Sequence, residues 1–153
     1  MTQSIESVAV LGSGVMGSAI AAHFAGCGVR TLMLDMPTDV PEDQHGHSAM
    51  RNQVAQTGLA KALKMKPAIF YSPKTAKLIE LGNFEDDIAR LSECDLVIEV
   101  IVERLDIKQS LYQKIAPHIS KDAVLASNTS GLSLAELSSV LPETLADRFL
   151  VMH

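Results

Sequence analysis

"VAVLGSGVMG", residues 8–17, decides how the rest of the chain is read. Together with Ser7, the run Val8–Leu11 is short, rich in aliphatic residues and apolar on both faces, as in a strand buried within a parallel sheet. Gly12, Gly14 and Gly17 follow with GxGxxG spacing. A helical pattern then runs from about Val15 to Cys27, with Gly28 placed as its C-cap. A strand, a glycine loop and a helix in that order form the dinucleotide fingerprint, and each glycine has its own job. Gly12 permits the tight turn, Gly14 lets a pyrophosphate reach the backbone, and Gly17 lets the helix lie close to the strand. The phosphates belong on the start of the helix, at Val15 and Met16, where free N–H groups and the helix dipole favour negative charge.

The next apolar run, "RTLMLD" (Arg30–Asp35), reads as a second strand and ends on a carboxylate about 20 residues beyond the loop. A carboxylate there accepts hydrogen bonds from adenosine ribose hydroxyls and repels a 2′-phosphate. The expected cofactor is therefore NAD rather than NADP.

Beyond Asp35 the pattern alternates. Met36–His47 is a Pro/Asp/His/Gly-rich loop, and Ser48–Lys66 reads as a helix weakened by Gly58 and closed by Pro67. A short strand is expected near Lys77–Leu81, and one or two helical turns over Glu85–Leu91. "CDLVIEVIV" (Cys94–Val102) reads as a buried strand. Asp106 is placed as the N-cap of a following helix, with Gln109 completing a capping-box variant and Pro117 closing the helix. "DAVLASN" (Asp122–Asn128) is a strand. Ser133 and Glu136 form a second capping box, opening a helix to about Val140, and "RFLVMH" (Arg148–His153) is the last strand. Strands alternating with helices predict an α/β, Rossmann-like, doubly wound and mainly parallel sheet with helices on both faces.

Bulk properties narrow the function. The chain has 153 residues, enough for one domain, and 47% of them are hydrophobic, so core formation is not limited. A formal net charge of -5, with only 4% aromatics and no Trp, argues against a nucleic-acid binder. Cys27 and Cys94 lack metal spacing and read as buried thiols in a reducing compartment. His45 and His47 read as solvated loop residues, so no metal site is expected. The N-terminus has no basic region, and Gly12, Gly14 and Gly17 break the apolar stretch behind it. The expectation is a soluble cytoplasmic protein without a membrane segment.

Doubly wound sheets bind ligands outside the carboxyl ends of their strands, so the residues there form a set. After the fourth strand come Glu103 and Lys108, which by themselves read as an exposed carboxylate and an exposed lysine. After the fifth comes "SNTSG" (Ser127–Gly131), which suits turn chemistry and a functional loop equally. After the sixth comes His153. Imidazole titrates near neutrality, which makes a strand-end histidine a general-base candidate, although a structural role is the commoner one.

Four stretches, "VAVLGSGVMGSAIAAHFA", "DLVIEVIVERLDIKQSLY", "LASNTSGLS" and "DRFLVMH", occur in an order that resembles the NAD-binding domain of 3-hydroxyacyl-CoA dehydrogenases. "KPAIFYSPKTAKLIELGNFEDD" further resembles the large bacterial fatty-acid oxidation proteins, which join such a dehydrogenase to an enoyl-CoA hydratase-like region. The resemblance implies oxidation of the 3-hydroxyl of an acyl-CoA with NAD in β-oxidation. It implies that His153 is the catalytic base, that Ser130 holds the substrate oxygen and that Asn128 belongs to the same motif. It also implies that Glu103 and Lys108 line the nicotinamide ribose side, and that Gly12, Gly14, Gly17 and Asp35 hold the cofactor. The family continues past this histidine with "FFNP", an orienting glutamate and a helical substrate and dimerisation domain. Residues 1–153 are thus expected to be the NAD-binding domain of a longer homodimer, with little turnover alone. Two other readings stand beside this one: a stand-alone NAD(H)-binding module, and a 3-hydroxyisobutyrate-type dehydrogenase with a similar glycine loop. Lys61, Lys64 and Lys66, a basic cluster at a helix end, are candidates for the CoA phosphates, with a solvated face as the alternative.

Overall fold

Side chains alternate across a strand, and in the central strand β1 (Ser7–Leu11) both sets are apolar and buried. The computed structural model describes residues 4–41 and 48–153. Val8 and Val10 face one core with α1 (Val15–Gly26) and α3 (Gln53–Ala62), while Ala9 and Leu11 face a second core with α4 (Leu105–Ile115). The sheet therefore has to be covered twice, as parallel sheets are.

The other strands are β2 (Arg30–Asp35), β3 (Ile79–Asn83), β4 (Leu96–Glu99), β5 (Val124–Ser127) and β6 (Phe149–Val151). Their order is β3-β2-β1-β4-β5-β6, with every pair parallel. The chain order reverses between β1 and β4, and that switch point is where such sheets bind dinucleotides. Leu11 lies level with Leu34 and Glu99, so the glycine loop, Asp35 and the end of β4 emerge side by side.

Several expected boundaries move, for visible reasons. The helix read over Ser48–Lys66 is two helices, α2 (Ser48–Arg51) and α3, broken at Asn52. The Asn52 side chain bonds to Asn83 and to the carbonyl of Leu81, and this fixes the break against β3. β3 starts at Ile79 because Pro73–Leu78 forms a 3-10 helix, and the turns expected over Glu85–Leu91 form one at Ile88–Glu93. β4 stops at Glu99, well short of Val102. α4 opens at Leu105 with Arg104 as N-cap, so Asp106 is not the cap. Asp106 is instead in the first turn, paired with Arg104, and Gln109 reaches the carbonyl of Glu136. Ser133 does cap α5 (Leu134–Ser138), which ends earlier than expected, and α6 (Glu143–Ala146) follows it. In β6, Phe149 is buried but Leu150 and Val151 are exposed, so the last strand is a sheet edge and not a buried run. Cys94 is buried as expected, whereas Cys27 is exposed beyond the end of α1.

Candidate cofactor and active site

At the glycine loop the three glycines are needed for three different reasons. Gly12 has φ +112°, and a Cβ there would lie 2.7 Å from the carbonyl oxygen of Val100. A Cβ at Gly17 would lie 2.0 Å from the carbonyl oxygen of Gly12, so the helix closes against the strand only without one. Beside Gly14 no described residue other than its chain neighbours comes within 4 Å of a Cβ position, and that open flank lets a ligand approach the backbone. α1 begins there with no acidic residue in its first turn and no side-chain cap, leaving its first N–H groups to an anion. These features fit a dinucleotide pyrophosphate.

Asp35 sits beside the loop. Its Oδ2 accepts from the backbone N–H (2.6 Å) and hydroxyl (2.5 Å) of Ser13, and its Oδ1 accepts from the N–H of Met36 (2.7 Å). Ser13 is buried, and α3 crosses it so closely that a Cβ at Gly58 would lie 2.3 Å from the Ser13 carbonyl oxygen. Gly58 reads in the sequence as a weak point in a helix, but its role is contact with the cofactor loop. Two cavities meet at Gly14 and Asp35. One, about 600 Å³, runs along α3 past Val54, Thr57 and Lys61. The other, about 450 Å³, is walled by Phe84, Val100, Ile101, Ile107 and Leu111, an apolar slot suited to a flat ring system.

The β4–β5 side is built differently. Glu99 and the ammonium-bearing side chain of Lys108 are both sealed from solvent, at 0% and 1% exposure. Lys108 Nζ donates to Glu99 Oε1 at 2.6 Å and lies 3.3 Å from Glu103 Oε2. Glu99 also accepts from the hydroxyls of Tyr112 and Ser127 (both 2.7 Å) and from the N–H of Ile101 (2.8 Å). Its charge is thus fully hydrogen-bonded, the condition for keeping an ion inside a protein. Burial and the Glu99 carboxylate push the Tyr112 phenol well above its ordinary range, so it stays a neutral donor.

Glu103 carries the network to the surface. It accepts from the Thr129 hydroxyl and from the N–H groups of Ser130 and Gly131 (3.1 Å each). The Thr129 hydroxyl, those backbone donors and Lys108 hold its carboxyl at about 2, far below the ordinary 4.5. Lys108 is therefore no exposed lysine. It is a buried cation shared by two carboxylates, of which Glu103 is the exposed one.

"SNTSG" separates residue by residue. Ser127 and Thr129 are buried and bonded to Glu99 and Glu103, while Ser130 is exposed. The Asn128 amide donates to the Met152 carbonyl at 2.9 Å, and Met152 N–H donates to the Ser127 carbonyl at 3.0 Å. These bonds bring the end of β6, with the exposed His153 next to Met152, up against the turn carrying Ser130.

A sequence model of the family described as "3-hydroxyacyl-CoA dehydrogenase, NAD binding domain" matches residues 7–153. The chain belongs to this family. A "Putative fatty acid oxidation complex trifunctional enzyme" of Rickettsia felis is 40% identical over 153 residues, which is 100% of this chain and 20% of that protein. A "Probable 3-hydroxyacyl-CoA dehydrogenase" of Deinococcus radiodurans is 39% identical over 97% of this chain and 41% of its own length. Among solved structures, (S)-3-hydroxybutyryl-CoA dehydrogenase from Ralstonia eutropha has TM-score 0.69 at 26% identity, covering 98% of this chain and 49% of that one. The dehydrogenase part of C. elegans multifunctional enzyme 1 has TM-score 0.70 at 25% identity, covering 99% and 32%. The chain spans about a fifth of the length of the Rickettsia relative.

As an NAD-binding domain of this family, the chain groups its expected site residues along the carboxyl ends of the strands. Gly12, Gly14, Val15, Met16, Gly17 and Asp35 surround the loop, and Glu103, Lys108, Asn128, Ser130 and His153 surround the ends of β4, β5 and β6. Among the Lys61, Lys64 and Lys66 cluster, Lys61 lines a cavity. His45 and His47 lie outside the described residues. Among the described residues no helix is long and apolar enough to cross a membrane. Sequence reasoning missed Glu99, Tyr112, Ser13 and Thr129. The signal for Glu99 was one charged residue within the apolar run "LVIEVIV".

Proposed function

We propose that this chain supplies the NAD-binding and proton-accepting half of an enzyme that oxidises the 3-hydroxyl of an acyl-CoA to a 3-oxoacyl-CoA in fatty-acid β-oxidation. The observation that carries the reading is the pair of bonds joining Asn128 to Met152 and Met152 to Ser127, which hold the β6 end against the Ser130 turn. NAD, when bound, supplies the hydride acceptor. The His153 imidazole takes the hydroxyl proton, and the Ser130 hydroxyl hydrogen-bonds the same substrate oxygen. Asn128 spends its amide on the Met152 carbonyl, so it positions the strand end that bears His153. Lys61, in the cavity along α3, faces the phosphates of CoA, and Lys64 and Lys66 add to the local positive field. The longer protein works as a cytoplasmic homodimer.

The test is a titration with NADH followed by assay with 3-hydroxybutyryl-CoA and NAD in the full-length protein. His153→Gln is expected to abolish turnover and leave NADH affinity unchanged. Turnover that survives this change removes His153 from the reaction. NADH binding by the unsubstituted protein without any turnover favours a binding module.

A further inference from the structure

Glu99 is a buried carboxylate with no part in the chemistry just described, and four donors from three directions hold it in place. Ile101 N–H comes from the segment after β4, Lys108 and Tyr112 come from α4, and Ser127 comes from β5. Its cation, Lys108, is shared with Glu103. Two carboxylates and one ammonium leave this cluster with an excess negative charge. Tyr112, the remaining titratable neighbour, is held neutral. The nearest arginine in sequence, Arg104, is turned to Asp106.

The cluster lies at the carboxyl ends of β4 and β5. In a doubly wound sheet the glycine loop and the strand-end acid take the adenosine half, so the second nucleotide lies over this other half. Glu99 is sealed from water, and its field is weakly screened there. Oxidised nicotinamide carries a positive charge on its ring, and reduced nicotinamide is neutral. The remainder of the cofactor is identical in the two forms.

We infer that Glu99 is a charge-setting residue of the cofactor site: with Lys108 and Glu103 it biases binding towards NAD+ relative to NADH. The inference rests on the second nucleotide occupying the β4–β5 side. Removing the Glu99 charge weakens NAD+ more than NADH, whereas a purely structural role weakens both by the same factor.

The experiment measures NAD+ and NADH dissociation constants by calorimetry for the unsubstituted chain and for Glu99→Gln. Glutamine has nearly the shape of glutamate. Its oxygen can accept from Lys108 and Ile101, and its amide can donate to the hydroxyl oxygens of Tyr112 or Ser127. The ratio Kd(NAD+)/Kd(NADH) is expected to rise at least about threefold, the order a buried unit charge exerts across a partly screened site. An unchanged or lowered ratio overturns the inference. Should Glu99→Gln fail to fold by circular dichroism, Glu103→Gln is used instead. It removes a charge from the same cluster at a partly exposed position, and its ratio must move in the same direction or the inference falls. Failure of the unsubstituted chain to bind either form overturns the cofactor site itself. Binding of both forms with an unmoved ratio overturns only the role of Glu99.

Discussion

On the β1–β3 side of the switch point Asp35, at the end of β2, is partly exposed, and among the described residues its carboxylate is held by Ser13 and Met36. On the β4–β6 side Glu99 lies under the surface, locked to α4, β5 and the segment after β4, and Glu103 brings the network out to solvent. Both sides flank the switch point, yet one is a set of open backbone donors and the other a closed ionic framework. The difference teaches that recognition and rigidity are divided between the halves. Removing the partly exposed carboxylate costs less, because it strands neutral donors and no buried charge. Removing the buried one costs more, because its cation is left without compensation.

The largest expected effect breaks this contrast from the closed side. Glu99→Ala leaves Lys108 buried beside a void, with Glu103 as its remaining counter-ion, and is expected to destabilise the fold by about 3–5 kcal/mol in chemical denaturation. Asp35→Ser strands the neutral donors of Ser13 and no buried charge, so it should cost only about 1–2 kcal/mol in the same measurement while narrowing the preference for NADH over NADPH. That preference should be at least about tenfold in the unsubstituted chain. Equal destabilisation by both changes would erase the distinction between the halves.

Gly14→Val sharpens the comparison from the open side. Among the described residues, its chain neighbours aside, none lies within 4 Å of the new Cβ, so the fold should survive. The branched side chain occupies the flank where the pyrophosphate approaches, and NADH affinity should fall about 100-fold or more by fluorescence titration, roughly 2.7 kcal/mol. Undiminished affinity in a folded variant would place the phosphates elsewhere.

The smallest effect concerns the point where the closed framework meets solvent. Glu103 is held at about 2 instead of 4.5, first of all by the Thr129 hydroxyl. A depressed carboxyl contributes stability that is complete above 4.5 and disappears as pH falls towards about 2. Thr129→Val removes the main donor and raises the folded-state value, so less stability should be lost below pH 4.5 and the loss should be complete at a higher pH. The loss at pH 7 should stay under about 1 kcal/mol, because solvent screens a side chain that is 42% exposed. An acid titration followed by circular dichroism reads both quantities. An acid limb that does not move would show that the backbone donors of Ser130 and Gly131 suffice.

The open half was legible in the sequence, and the closed half was only partly so. Gly12, Gly14, Gly17 and Asp35 act through local backbone geometry, and local spacing reports that directly. The strand at Arg30–Asp35 was read to the residue because its neighbours on both faces are apolar. Lys108 was read as exposed because a lysine on a helix usually is, and its burial depends on Glu99, nine positions away in sequence. Ser127 and Thr129 looked like ordinary turn residues. Their partners, Glu99 and Glu103, come from another strand and loop, a pairing no spacing rule contains. The helix break at Asn52 was hidden for the same reason, since Asn83 and the Leu81 carbonyl enforce it from β3.

The approach of Gly58 to the Ser13 carbonyl has a consequence for anyone who would recombine this fold. With 2.3 Å available to a hypothetical Cβ, α3 and the glycine loop are machined to a common tolerance. The segment between β2 and β3 is therefore no interchangeable cassette. Transplanting it onto another glycine-loop scaffold carries a matching condition at two positions, a glycine on the helix and a small residue at the middle of GxG. A graft that keeps only one of them inherits a steric collision at the mouth of the cofactor site.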